Sequence, residues 1–89
     1  MVFFLHQNYP NPFNPETNIS FDLPKASPVT LKIFNLIGQE VATIVHGQLS
    51  AGTHTYRVSG EKYGLTSGVY FYGLSAGDFM QTRKMILLK

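Results

Sequence analysis

The sequence predicts an all-β fold, an immunoglobulin-like β-sandwich of about seven antiparallel strands. Polar and apolar residues alternate along most of the chain, which is the period of a strand with one buried face, and no long segment has the apolar spacing of a helix. Turn-forming residues separate these segments at intervals typical of a sandwich. A closed barrel is the alternative, but short strands in a chain of 89 residues fit a sandwich better.

Seven segments are predicted to be strands. In chain order they are Phe3–Gln7, Thr17–Leu23, Val29–Phe34, Val41–Val45, His54–Val58, Val69–Leu74 and Phe79–Leu88. Alternation predicts the side chains of the second and third strands that point into the core, which are Ile19, Phe21, Leu23, Val29, Leu31 and Ile33. The sixth strand is apolar on both faces, which favours a central position in its sheet.

Glycines mark the connections between the strands. Gly38 in Leu36–Gln39 and Gly77 in Ser75–Asp78 can adopt the positive φ that tight turns need. Longer loops are predicted at Pro24–Pro28, Gly47–Gly52 and Ser59–Ser67.

Three of the five prolines fall within six residues, inside the segment Asn8–Pro15. Each proline fixes φ and removes a backbone donor, so this segment is stiff and cannot be a central strand. Its motif residues are Tyr9, Pro10, Asn11, Pro12, Phe13, Asn14 and Pro15. We expect a structured entry loop with the rings of Tyr9 and Phe13 packed in the core. The alternative is a signature that another protein recognises.

Composition excludes several classes of function. Charged residues make up 13% of the chain, roughly half the usual fraction. The net charge of +2 comes from scattered basic residues with no run longer than Arg83-Lys84, so we expect no nucleic-acid partner. The absence of cysteine excludes disulfides, thiolate catalysis and cysteine-ligated metal. No apolar run is long enough for a transmembrane segment, and Val2–Leu5 lacks the flanks of a secretory signal.

No catalytic or metal-binding constellation is visible in the sequence. His6, His46 and His54 are far apart and lack the spacing of a zinc site. The five acidic residues fall singly in turns or on polar strand faces, so a carboxylate pair would need a coincidence of the fold. No serine lies in a nucleophile elbow, and no helix follows the glycines, so no phosphate site is formed. We therefore predict that the protein is not an enzyme and binds no cofactor.

Two surfaces could bind a partner. The first is an aromatic face for sugar, drawn from Tyr56, Tyr70, Phe71, Tyr72 and Phe79. Alternation places Tyr70 and Tyr72 on the same side of their strand, and packing in the core is the competing interpretation. The sugar interpretation corresponds to a carbohydrate-binding β-sandwich module appended to a secreted glycosidase.

The second surface is the C-terminal strand. Polar Gln81–Lys84 is followed by the apolar run Met85–Leu88 and then by Lys89. An apolar run at a free terminus frays unless it is paired. The run is either a last strand zipped into the sheet or an edge that a partner grips by strand addition, with Lys84, Lys89 and the terminal carboxylate supplying charge.

Six sequence blocks, taken in order, resemble a known family. They are YPNPFNPET (Tyr9–Thr17), ISFDLP (Ile19–Pro24), VTLKIFNLIGQEV (Val29–Val41), AGTHTYRV (Ala51–Val58), SGVYFYGLSAGDF (Ser67–Phe79) and TRKMILLK (Thr82–Lys89). In this order they resemble the type A C-terminal sorting domain of the type IX secretion system of Bacteroidetes and related bacteria. Many members carry a Trp followed by Asp-Gly where this chain has Tyr56–Gly60, a difference that bears on core packing. That block also resembles the immunoglobulin-like domain of flagellar hook-capping proteins, a relative in fold.

The resemblance implies a secretion and attachment signal carried at the C-terminus of a cargo protein. Cargo of this kind crosses the inner membrane, passes through the periplasm, and is directed by the folded domain through the outer-membrane translocon to the cell surface or the medium. A sortase-like protease commonly removes the domain. The family's recognition elements map onto Ser67–Leu74 and Lys84–Lys89. The candidate recognition residues within these two ranges are Ser67, Gly68, Val69, Tyr70, Lys84, Met85, Leu87, Leu88 and Lys89.

The same resemblance divides the chain into two parts. Residues 8–89 are expected to be the sorting domain, and residues 1–7 a linker or a first strand, with any cleavage near or before Asn8. Met1 directly precedes sequence of mid-domain character. We therefore expect Met1 to be an added residue and the natural protein to continue further at its N-terminus.

Overall fold

The computed structural model describes residues 1–88 and contains seven strands. They are β1 (Phe4–Leu5), β2 (Glu16–Leu23), β3 (Ser27–Phe34), β4 (Glu40–Leu49), β5 (Gly52–Ser59), β6 (Gly68–Ala76) and β7 (Phe79–Leu87). Their number and type confirm the predicted all-β class. Tight turns at Gly38 (φ 87°) and Gly77 (φ 59°) join neighbouring strands as predicted.

Two antiparallel sheets make up the sandwich. The order of the first sheet is β1-β2-β5, and the order of the second is β4-β3-β6-β7. β6 lies between β3 and β7, which confirms the central position predicted from its apolar faces. β7 lies at the end of the second sheet, so one of its two edges has no neighbouring strand of that sheet.

Buried residues from both sheets form one hydrophobic core. The six side chains predicted to point inward from β2 and β3 are all buried. Tyr72 on β6 and Met85 and Leu87 on β7 close the core from the second sheet. The last strand of the chain therefore contributes buried side chains to the core that both sheets share.

Two predicted loops are shorter than expected because the strands that flank them are longer. β3 begins at Ser27, so Pro28 pairs with Gln48 within the sheet. Proline is tolerated there because it lies near the start of the strand, before pairing with β6 begins at Val29. β4 continues to Leu49, which makes Gly47 a strand residue rather than the start of a loop.

The segment before β2 fills the seam between the two sheets. Residues 4–5 pair with β2 of the first sheet, while the backbone of Leu5 is bound by side chains of β7 in the second. Phe3 stacks on Phe79 with ring centroids 5.3 Å apart. The first strand expected near Phe3–Gln7 is therefore present but short, and Leu5 within it is fully buried.

Only one of the two aromatic rings in the proline segment packs as predicted. Phe13 is buried in the core with 2% of its surface exposed, but Tyr9 is 79% exposed, so the prediction for Tyr9 is wrong. Tyr9 exchanges two backbone hydrogen bonds with Asn18 of β2, at 3.0 and 2.9 Å. That pairing turns its side chain away from the core. The peptide bonds before Pro10, Pro12 and Pro15 are cis.

Candidate functional site

The outer edge of β7 is the surface on which the C-terminal prediction depends. β6 and β7 are joined by a two-residue turn, and Ala76 pairs with Phe79 directly beside it. Backbone groups of alternate residues therefore point toward β6 and away from it. The residues whose N–H and C=O groups point away from β6 are Met80, Thr82, Lys84, Ile86 and Leu88. These groups form the outer edge of β7.

Residues 7–13, called here the covering segment, lie over the C-terminal half of this edge. Phe13 makes two backbone bonds with it, donating its N–H to Ile86 O and accepting from Leu88 N–H, both at 2.9 Å. Asn11 Oδ1 accepts from Ile86 N–H at 2.9 Å, and Gln7 Nε2 donates to Lys84 O at 2.8 Å. The terminal apolar run is thus paired on both sides, as the last-strand interpretation predicted.

Polar side chains on the inner face of β7 hold the start of the chain. Gln81 Oε1 accepts from the Leu5 N–H at 2.9 Å, and Arg83 Nε donates to the Leu5 carbonyl. The Arg83 guanidinium also lies over the ring of Phe4, 5.3 Å from its centroid. Sequence reasoning missed these roles, although Gln81 and Arg83 share the alternation phase of buried Met85 and Leu87. Polar residues at positions where alternation places side chains toward the core could have indicated that another segment closes this side of the core.

The hydroxyl of Tyr72 connects the core to the same segment. It accepts a hydrogen bond from Asn8 N–H at 2.7 Å and donates one to His6 O at 2.8 Å. Burial raises the pKa of the Tyr72 hydroxyl above its ordinary value, although the Asn8 N–H and the Arg83 charge act against the shift. Asn8 is itself buried and donates from its side chain to Thr17 Oγ1.

Tyr70 and Tyr72 do not form the predicted aromatic platform for sugar. Tyr70 and Tyr72 lie on the same side of β6, as alternation predicted, but that side faces the core and both side chains are buried. The Tyr70 hydroxyl is bound to the backbone of Thr66, accepting from its N–H and donating to its carbonyl. Packing in the core, the competing interpretation, is the one that the structure supports.

The predicted recognition residues fall into two groups. Tyr70, Met85 and Leu87 are buried in the core, where they hold β6 and β7 together. Ser67, Lys84 and Leu88 are exposed, while Gly68 and Val69 at the start of β6 are half-buried. Lys89 lies outside the described residues. The two predicted stretches are brought side by side, because Gly68 pairs with Leu87 and Val69 with Ile86.

Ionisable groups away from β7 form small surface pairs. His6 Nε2 lies 2.9 Å from Asp22 Oδ2, and Thr53 Oγ1 donates to Asp22 Oδ1 at 2.8 Å. Partial burial acts to raise the pKa of Asp22, but these two hydrogen bonds, together with the charges of His6 and the N-terminal amine, leave the pKa below its ordinary value. Hydrogen bonds from Lys32 and Thr43 likewise lower the pKa of Glu40. Within residues 1–88, no group of three or more His, Asp or Glu side chains could hold a metal ion.

Comparison with known proteins gives one clear match. The family model described as "secretion system C-terminal sorting domain" matches residues 7–88. No curated protein matches the chain. In the part of the chain that the structure describes, no helix is long and apolar enough to cross a membrane. The matched region begins at the covering segment and includes the whole of β7.

Proposed function

Because the chain belongs to the secretion system C-terminal sorting domain family, we propose that it is a non-catalytic domain that directs an attached cargo protein through the type IX outer-membrane translocon. A type IX sorting signal implies export to the cell surface or the extracellular space. The proposed route runs from the periplasm through the translocon and ends in attachment at the surface or release. The proposed partners are the translocon, the sortase-like attachment machinery and an N-terminal cargo region.

The observation that carries the proposal is the match over residues 7–88 of an 89-residue chain. The match includes all strands from β2 to β7. The structure supports a signal that is read in the folded state, since the proposed recognition residues come from two strands that meet only after folding. A signal read as a linear peptide would not require the fold to bring Gly68 next to Leu87.

Recognition is proposed to use the exposed members of the predicted set. Lys84 on β7 and Leu88 just beyond it present a charge and an apolar side chain, and Leu88 is 53% exposed. Ser67 directly precedes β6, close to the same end of the sheet. The buried members, Met85 and Leu87, contribute by holding this surface in place.

The basic test fuses a reporter to the N-terminus of residues 1–89 in a host with a type IX system. The expected result is delivery of the fused reporter to the surface or the medium, while the reporter alone stays inside. Removal of Lys84–Lys89 is a poor test of recognition, because it also removes Met85 and Leu87, which are fully buried. Such a truncation would unfold the domain whether or not its end is recognised.

Substitution of exposed residues separates recognition from folding. The double variant Lys84→Ala, Leu88→Ser should lower export by roughly tenfold while changing the free energy of unfolding by less than about 0.5 kcal/mol. The matched control is Ile37→Ser, which removes an apolar side chain that is 78% exposed in the β3–β4 turn. We expect the control to be exported like the parent. Equal export of the double variant and the control would contradict the proposed recognition surface.

A further inference from the structure

We propose that the outer edge of β7 is a strand-addition site, and that the covering segment occupies it only until an extended segment of the secretion machinery takes its place. The inference rests on the proposed function and specifies how the partner is bound. The partner segment would run along Met80–Leu88 and form main-chain hydrogen bonds with β7. Within the chain as folded here, the covering segment acts as a placeholder.

The covering segment satisfies only part of the edge. Its described contacts reach Lys84 O, Ile86 N–H, Ile86 O and Leu88 N–H, and two of these four are made by the side chains of Gln7 and Asn11. The outward N–H and C=O groups of Met80 and Thr82 have no bond to it among the described residues. An exposed row of unpaired backbone groups is a template for another strand.

The prolines explain why the cover forms no continuous backbone ladder with the part of the edge that it reaches. Pro10 and Pro12 have no N–H to donate, so the segment cannot form a continuous ladder along β7. Between Asn8 and Phe13, which are buried, the residues Tyr9 to Pro12 are exposed. They are still held in place, because the backbone of Tyr9 pairs with Asn18 of β2 and Pro10 O accepts a hydrogen bond from Thr17 Oγ1. The cover is therefore ordered but reaches only part of the outer edge of β7, which protects the edge from random pairing without closing it fully.

A partner strand without prolines would form more bonds than the cover does. It could pair with the outward groups of all five edge residues, from Met80 to Leu88, rather than with the last three alone. The two states are the domain with the covering segment on the edge and the domain with the edge free. A partner shifts this equilibrium only by its differential affinity for the two states, and the added main-chain bonds to the free edge supply that difference. Because displacement would empty the place of Phe13, the partner should also carry one large apolar residue to refill it.

The test introduces a proline where the edge would receive its partner. Thr82→Pro removes an outward N–H that the ladder with β6 does not use, so the domain should still fold, while strand addition is blocked. Thr82→Ala is the matched control, since it removes the same side chain and keeps the N–H. In the reporter fusion, with folding checked by circular dichroism, we expect export of Thr82→Pro to fall roughly tenfold below that of Thr82→Ala.

The outcomes separate the two proposals. Equal export of the two Thr82 variants, with the parent exported, overturns strand addition and leaves the sorting function standing. A parent fusion that is not exported overturns the sorting function and this inference with it.

A second variant tests the cover itself and does not depend on the folding of Thr82→Pro. Asn11→Ala removes the acceptor of Ile86 N–H at an exposed position. Loss of this bond should loosen the covering segment, and with it the bond from Leu88 N–H to Phe13 O. We therefore expect the amide hydrogen of Leu88 to exchange with solvent roughly two- to tenfold faster than in the parent. Export should be at least as efficient as that of the parent. Faster exchange with weaker export would overturn the placeholder role, because the covering segment itself would then be what is recognised.

A concentration-dependent dimer of the parent protein would also overturn the proposal, since a second copy would then occupy the edge.

Discussion

At the scale of single residues, the hydroxyl of Tyr72 joins the core to the segment before β2. It is the partner of the buried Asn8 N–H and also donates to His6 O. Tyr72→Phe leaves the Asn8 donor without a partner in a buried place, so the free energy of unfolding should fall by roughly 1–3 kcal/mol. Urea denaturation measures this loss.

Tyr70→Phe is the matched control, because the Tyr70 hydroxyl binds the backbone of Thr66, an exposed residue whose groups can turn to water. We expect a loss below about 1 kcal/mol for this variant. Equal losses in the free energy of unfolding for the two variants would contradict the prediction that an unpaired Asn8 N–H destabilises the protein.

Asp22 is the residue for which a pH effect is expected. Its pKa is lower in the folded protein than the ordinary value of 3.8, so the unfolded chain binds a proton more readily. The stabilisation is complete above the unfolded pKa and is lost as the pH falls through the folded pKa. Urea denaturation between about pH 5 and pH 2 should therefore show a steeper loss of stability in the parent than in Asp22→Asn. Identical pH profiles would contradict this assignment.

At the scale of elements, β1 is short but is part of the folded domain. Leu5 is fully buried between β2 and β7, so Leu5→Ala should lower the free energy of unfolding by roughly 2–5 kcal/mol. Leu36→Ala changes a leucine that is 68% exposed in the β3–β4 turn and should cost less than about 0.5 kcal/mol. Chemical denaturation of both variants tests whether residues 1–7 behave as a strand or as a linker. A negligible effect at Leu5 would favour the linker.

The strands that sequence predicted best are those with one clearly apolar face, even where their partners lie far away in the chain. Alternation located β2 and β3 almost to the residue and identified their inward side chains correctly. It failed where a contact with another segment decides the outcome: Tyr9 is exposed because it pairs with Asn18, and Gln81 and Arg83 face inward because Leu5 lies opposite. The period and propensity of a segment carry no information on which other segment it will contact.

The candidate site was predicted in the same partial way. Sequence identified the C-terminal strand and its two possible roles, a paired last strand or an edge for a partner. The structure adds that the proline segment lies on that edge, with Phe13 bound to Ile86 and Leu88. Nothing in the local pattern of either segment could have placed one against the other.

At the scale of the whole molecule, the two ends of the chain form one unit. Residues 4–13 and β7 hold each other through the contacts of Leu5, Asn11 and Phe13. The N-terminal side of this unit is where a cargo protein would be attached, and the C-terminal side is the proposed recognition surface. Folding of the domain is therefore expected to precede recognition, and core variants such as Phe13→Ala should lose export together with stability.

The most direct measurement of the central claim compares export of the reporter fused to residues 1–89 in two isogenic hosts, one with the type IX translocon and one without it. We predict reporter at the surface or in the medium of the first host and retention inside the second. Equal delivery from both hosts, or retention in both, would contradict the assignment of this chain as a type IX sorting signal.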